Sequence, residues 1–196
     1  MSLLNEWMDP RFIKTNAYGA ETEAEQLRPD YWRYWRDMPA KGEIGLFLSA
    51  WYSQPLLQHV KIDENDGRFD ASLDRIKQFE TTLTDDGALV IKYWLHLDKN
   101  QQRKHLHELE ENPATAWRIA GDAWENWHLY ERFVDSTERM IVATHAPAAP
   151  WEIIDGADDR YRSIAIGEHL LATLQKHLDR TAETPPTAPL PAVDSD

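Results

Sequence analysis

The sequence predicts an α/β domain in which a parallel sheet is flanked by helices. Three observations predict it. Short apolar runs with strand character occur at 43–48, 88–97 and 151–154. Stretches with apolar residues at helical spacing separate them. A composition of 42% hydrophobic and 11% aromatic residues over 196 residues supplies one core of ordinary size.

The elements follow in chain order. Pro29 suits a first helical turn, and Pro39 stops the aromatic-rich segment Asp30–Met38. Glu43–Leu48 reads as a strand buried on both faces. Between Phe69 and Asp86 the apolar residues Phe69, Leu73, Ile76, Phe79 and Leu83 mark one helix face, with Gly87 as its stop. Ala88–Leu97 is the clearest buried strand. Lys99–Glu111 is a charge-laced helix, and Asp122–Val142 a longer one with Trp124, Trp127, Tyr130, Val134 and Ile141 inward. Trp151–Ile154 is a third strand, and Tyr161–Leu178 a closing helix. The domain spans 1–180. The remaining 181–196 segment, with four of the eleven prolines, reads as an acidic linker or tail.

Charge and residue usage exclude several function classes. Thirty-four acidic against 21 basic residues leave a net charge of −13, which opposes generic nucleic-acid binding. The absence of cysteine removes disulfides, thiolate metal sites and thiol nucleophiles. No apolar run approaches the ~20 residues of a membrane span. The start Met1-Ser-Leu-Leu-Asn-Glu lacks a secretory pattern, so a cytoplasmic location is expected.

Motifs for phosphate and metal chemistry are scarce. None of the eight glycines precedes a lysine, and GxGxxG, GxSxG and HExxH are absent. His105 and His107, alternate on a helix, lie too far round it to share one ion and read as a solvated face. His96 reads as a hydrogen-bonded core residue, the tryptophans as core packing, and Glu108, Glu110 and Glu111 as solubilising charge. In Tyr31-Trp-Arg-Tyr-Trp-Arg36, Arg33 and Arg36 could face an anionic ligand or pair with surface carboxylates.

An ordered series of short stretches resembles the polyphosphate kinase 2 family, in particular the N-terminal half of its two-domain polyphosphate:AMP phosphotransferases. The series runs through Leu4-Asn-Glu-Trp-Met-Asp-Pro-Arg11, Tyr31–Pro39, Lys41-Gly-Glu-Ile-Gly-Leu-Phe47 and Trp51-Tyr52. It continues through Phe79-Glu80, Asp86–Leu97, Gln102, Asn112-Pro113, Trp117-Arg118, Asp122, Thr144, Ala149–Trp151 and Tyr161-Arg162. The resemblance implies a P-loop kinase-like fold and phosphoryl transfer between polyphosphate and an adenine nucleotide with magnesium. It implies a second family domain or a homo-oligomer as partner, with no nucleic acid and no membrane. Arg11, Arg33, Lys92, Arg118 and Arg162 match its basic positions and are the candidate phosphate contacts.

The departures from the family pattern bear on activity. The family's Walker A strand and loop lie upstream of the helix containing LNEW, and this chain starts after that point. A gap at the centre of the sheet is therefore expected, in a domain that is marginal alone or needs another segment. Leu48 stands where the family's FDRSWYNR has Asp, Ser49 and Gln54 where it has Arg, and Lys104, His105 and Leu109 at lid arginine places. Phosphoryl transfer depends on positioning and charge neutralisation. The expectation is a domain inactive by itself, with no catalytic or metal-binding residue of its own. The alternatives are a non-catalytic interaction domain packing on an active kinase domain, or a truncated fragment.

Overall fold

The structure, a computed structural model, describes residues 2–62, 67–119, 121 and 123–183. The predicted tail lies outside them from residue 184 onward. Among the described residues, four short parallel strands occur, and they come as two separate pairs. β1 (Ile13–Ala17) lies beside β2 (Ile44–Leu48), with Ile13 opposite Ile44 and Ala17 opposite Leu48. β3 (Lys92–His96) lies beside β4 (Trp151–Asp155), with Lys92 opposite Trp151 and His96 opposite Asp155. The parallel α/β class is as expected, and the sheet is divided in two.

Helices fill the connections: α1 (Ser2–Trp7), α2 (Glu23–Gln26), α3 (Trp32–Arg36), α4 (Ser53–Lys61), α5 (Arg68–Asp85), α6 (Lys99–Glu111), α7 (Ala123–His128), α8 (Tyr130–Thr144) and α9 (Asp159–Glu183). Local chemistry sets several ends. Thr22 with Glu25, and Asp98 with Gln101, form reciprocal caps at the starts of α2 and α6. Gly87, at φ +91°, ends α5. There the Gly87 amide donates to the Thr84 carbonyl at 3.0 Å and the Ala88 amide to that of Leu83 at 3.0 Å.

The core lies where α4, α5 and α8 meet the sheet. Leu56 and Val60, Phe69, Leu73, Ile76 and Phe79, and Met140 are buried there with Tyr34, Trp51 and Tyr52. The α5 residues are those the helical spacing selects. Pleat alternation places α9 on the opposite side. Lys92 and Trp94 point into the core, whereas the Tyr93 hydroxyl meets His169 Nδ1 of α9 at 2.9 Å.

Several expectations are corrected. The Asp122–Val142 helix breaks at Leu129 into α7 and α8; Asp122 itself lies outside the described residues. The break lets Trp127 donate to the Lys99 carbonyl of α6 at 3.0 Å while Ser136, Thr137, Met140 and Thr144 turn into the core. One straight helix would not present both faces. Neither β2 nor β3 is buried throughout. Leu48 is 42% and Leu95 45% exposed, because among the described residues each strand pairs with one neighbour. His96 ends β3 exposed rather than in the core, and Trp117 is exposed as well.

Candidate functional site

In open α/β sheets, ligands bind beyond the carboxyl ends of the strands. Here β1 runs out into Tyr18 and Gly19, β2 into Ser49 at φ +52°, β3 into Leu97 and Asp98, and β4 into Gly156. Ser49 in the left-handed region makes the sharp turn that returns Trp51 and Tyr52 to the core.

Two of the candidate cations sit at this rim. Arg33 is buried, with its guanidinium 4.9 Å over the Tyr18 ring and Nη1 donating to the Gly19 carbonyl at 3.1 Å. Its Nε lies 3.6 Å from Glu25 and has no hydrogen-bond partner. Beside it, Arg36 grips Asp37 at 2.7 and 2.9 Å, and the Tyr18 hydroxyl donates to Asp37 at 3.0 Å. The Arg36 bonds, then that of Tyr18, hold the Asp37 carboxyl below its ordinary range against the opposing effect of burial. Burial, then the bond to Asp37, pushes the Tyr18 phenol up. Arg162 sits at the end of β4, donating to the Gly156 carbonyl at 2.8 Å and pairing with Asp159 at 2.8 Å.

The other candidates lie elsewhere. Arg11 precedes β1, at the opposite end of the strand, exposed and chelated by Asp9. Arg118 closes a 3-10 turn (Ala116–Arg118), and its side chain lies outside the described residues. Lys92 is buried, and its three N–H donors reach Glu80 at 2.7 Å, the Thr144 carbonyl at 2.8 Å and the Tyr52 hydroxyl at 3.1 Å. Burial lowers its pKa from the ordinary lysine value, opposed by Glu80. The structure thus brings Arg33 and Arg162 to strand ends, places Arg11 apart and leaves the Lys92 ammonium saturated.

Phe79-Glu80 and Trp51-Tyr52, separate family matches in the sequence, meet in the fold. Glu80 accepts from Trp51 Nε1 at 3.0 Å and the Tyr52 hydroxyl at 2.8 Å besides Lys92. The signal is present in the sequence: one acid on the apolar face of α5, at helical spacing from Leu73 and Ile76, and one base inside the apolar run 88–97.

Among the described residues no three His, Cys, Asp or Glu side chains group as metal ligands, and Leu48 at the end of β2 offers no oxygen. Nor, among the described residues, is any helix long and apolar enough to cross a membrane.

Residues 2–182 match the polyphosphate kinase 2 family. The chain belongs to that family. A polyphosphate:AMP phosphotransferase of Pseudomonas aeruginosa is 39% identical over 193 residues, covering 97% of this chain and 39% of the relative. An AMP/ADP-polyphosphate phosphotransferase of Meiothermus ruber is 29% identical, covering 86% of this chain and 63% of the relative. This family chain therefore spans about two-fifths of the length of its Pseudomonas relative. Among solved structures, a Pseudomonas aeruginosa polyphosphate kinase 2 superposes with a TM-score of 0.77 at 38% identity, over 90% of this chain and 35% of that one. One from Arthrobacter aurescens gives 0.83 at 23% identity, over 97% and 66%, a likeness of fold. Family kinases generally use a divalent metal.

Proposed function

We propose that the chain is a polyphosphate-dependent nucleotide phosphotransferase domain, of the polyphosphate:AMP kind, that does not transfer phosphate by itself. Leu48 carries this reading. It stands, 42% exposed, at the carboxyl end of β2, where the family pattern has an aspartate. Transfer needs charge neutralised at that edge, and Leu48, Ser49 and Gln54 carry none. Arg33 and Arg162 are the rim cations that meet the phosphates of polyphosphate or of an adenine nucleotide, while Lys92 and Arg11 serve the fold.

The test is conversion of AMP to ADP by the purified chain with polyphosphate and magnesium, alongside circular dichroism. A folded chain that binds polyphosphate without turnover is the expected result. Turnover above a heat-killed control would refute the proposal. A second reading, a non-catalytic domain that packs on an active one, is favoured by the outer face of α9. Tyr161, Ile164, Leu171 and Leu178 stand there 57–64% exposed. On that reading, adding the chain changes the turnover of an active family domain.

A further inference from the structure

Arg33 carries a donor that the fold leaves without an acceptor. Its side chain is 9% exposed, its guanidinium lies 4.9 and 5.9 Å over the Tyr18 and Tyr34 rings, and Nη1 donates to the Gly19 carbonyl. Nε is buried and, among the described residues, has no hydrogen-bond partner. A buried N–H of a charged group is costly to leave unmet, and an anion's oxygen is the acceptor that completes it best.

An anion is already close, and it is internal. Glu25 Oε2 is tied to the start of α2, accepting from the Thr22 amide at 3.0 Å and from the Thr22 hydroxyl at 3.1 Å. The bond from the amide, foremost, holds this carboxyl below its ordinary range, so it is ionised at neutral pH. Glu25 Oε1 is thereby held 3.6 Å from Arg33 Nε and 4.0 Å from Arg36 Nη1. Those are ion-pair distances, too long for a charge-assisted hydrogen bond. The cap keeps the carboxylate beside both guanidinium groups and out of bonding reach of either. Between α2 and α3 a hollow is lined by Arg28, Trp32 and Arg33 together with Glu21, Glu25 and Asp30. An anion entering there meets Arg33 beside Glu25.

We infer that Glu25 is a built-in competitor for the phosphate at Arg33, displaced when a phosphoryl oxygen takes the Arg33 Nε donor. This rests on the reading of Arg33 as a phosphate contact and adds what limits the strength of that contact. A carboxylate and a phosphoryl oxygen cannot share the one N–H, and their charges repel at close quarters. Binding exchanges a long ion pair for a charge-assisted hydrogen bond, and the affinity is what remains after Glu25 has been moved. Glu25→Gln isolates the effect, because glutamine at the third helical position still closes the cap on Thr22 while the charge is gone.

Calorimetry of the full chain with inorganic tripolyphosphate tests it. Glu25→Gln should bind about tenfold more tightly than the wild type. Glu23→Gln, which removes an equal charge at an exposed position of the same short helix, should stay within about twofold. Adding Arg33→Gln to Glu25→Gln should abolish the gain. Equal affinity of the wild type and Glu25→Gln, with binding still lowered by Arg33→Gln, would overturn the inference and leave the phosphate contact standing. An equal gain in Glu23→Gln would overturn it too, since bulk charge would then be the cause. Binding by neither the wild type nor Glu25→Gln would overturn the competitor and the phosphate contact together. In the wild-type chain, the NMR signals of the Glu25 carboxyl carbon and the Arg33 Nε–H should move together as tripolyphosphate is added. A Glu25 signal that stays fixed while Arg33 shifts refutes displacement, whatever the stability of the variants.

Discussion

Replacing Lys92 by methionine removes the ammonium while keeping a stem of similar length. The consequence is read from its partners. Glu80, its side chain 4% exposed, keeps only the neutral donors of Trp51 and Tyr52, and the Thr144 carbonyl loses its lysine donor. Removing one partner of a buried ion pair costs about 3–5 kcal/mol, because the remaining charge stays buried and uncompensated. For a chain of this size that is a fall of roughly 6–20 °C in Tm. Adding Glu80→Gln removes the stranded charge but retains an oxygen for Trp51 and Tyr52, so the double variant should recover about 2 kcal/mol of the loss. Urea unfolding and thermal melts of the wild type, the two single variants and the double variant complete the cycle. A single Lys92→Met variant within about 1 kcal/mol of wild type, or a double variant less stable than that single one, would refute the reasoning.

Leu73→Ala, at a side chain 1% exposed in the middle of the core, should cost about 2–5 kcal/mol by urea unfolding. Asp37 binds its proton less tightly in the folded chain than at its ordinary value of 3.8. Its contribution is therefore complete above that pH and lost as the pH falls through the lower folded value; Asp37→Asn should flatten the acid limb of a stability–pH curve. Arg162→Ala should weaken polyphosphate binding about tenfold by calorimetry, near 1.4 kcal/mol, whereas Arg11→Ala should leave it unchanged.

Much of the fold was legible from local patterns. The spacing of Phe69, Leu73, Ile76 and Phe79 determined both α5 and the face it buries, and Gly87 its end. The runs at 43–48, 88–97 and 151–154 located three of the four strands. β1 was missed because Ile13–Ala17 carries Lys14, Thr15 and Asn16 at a half-covered position and so has no apolar run to read. The α7–α8 break was missed because a continuous helical pattern does not record that Trp127 packs on α6 while Met140 packs on the core.

The candidate site divides along the same line. Sequence by itself determined the family and the leucine at the end of β2, since each depends on which residues are present and in what order. Only the tertiary structure decided where the basic residues lie and what they touch. Arg33 and Arg162 reach strand ends, Arg11 turns back on Asp9, and Lys92 gives its donors to Glu80, Tyr52 and Thr144. A cation's role follows from the partners that surround it, and those partners come from segments 12 to 52 residues away for Lys92. No local pattern in a sequence brings such groups together; the packing of α4, α5 and α8 against the two half-sheets does.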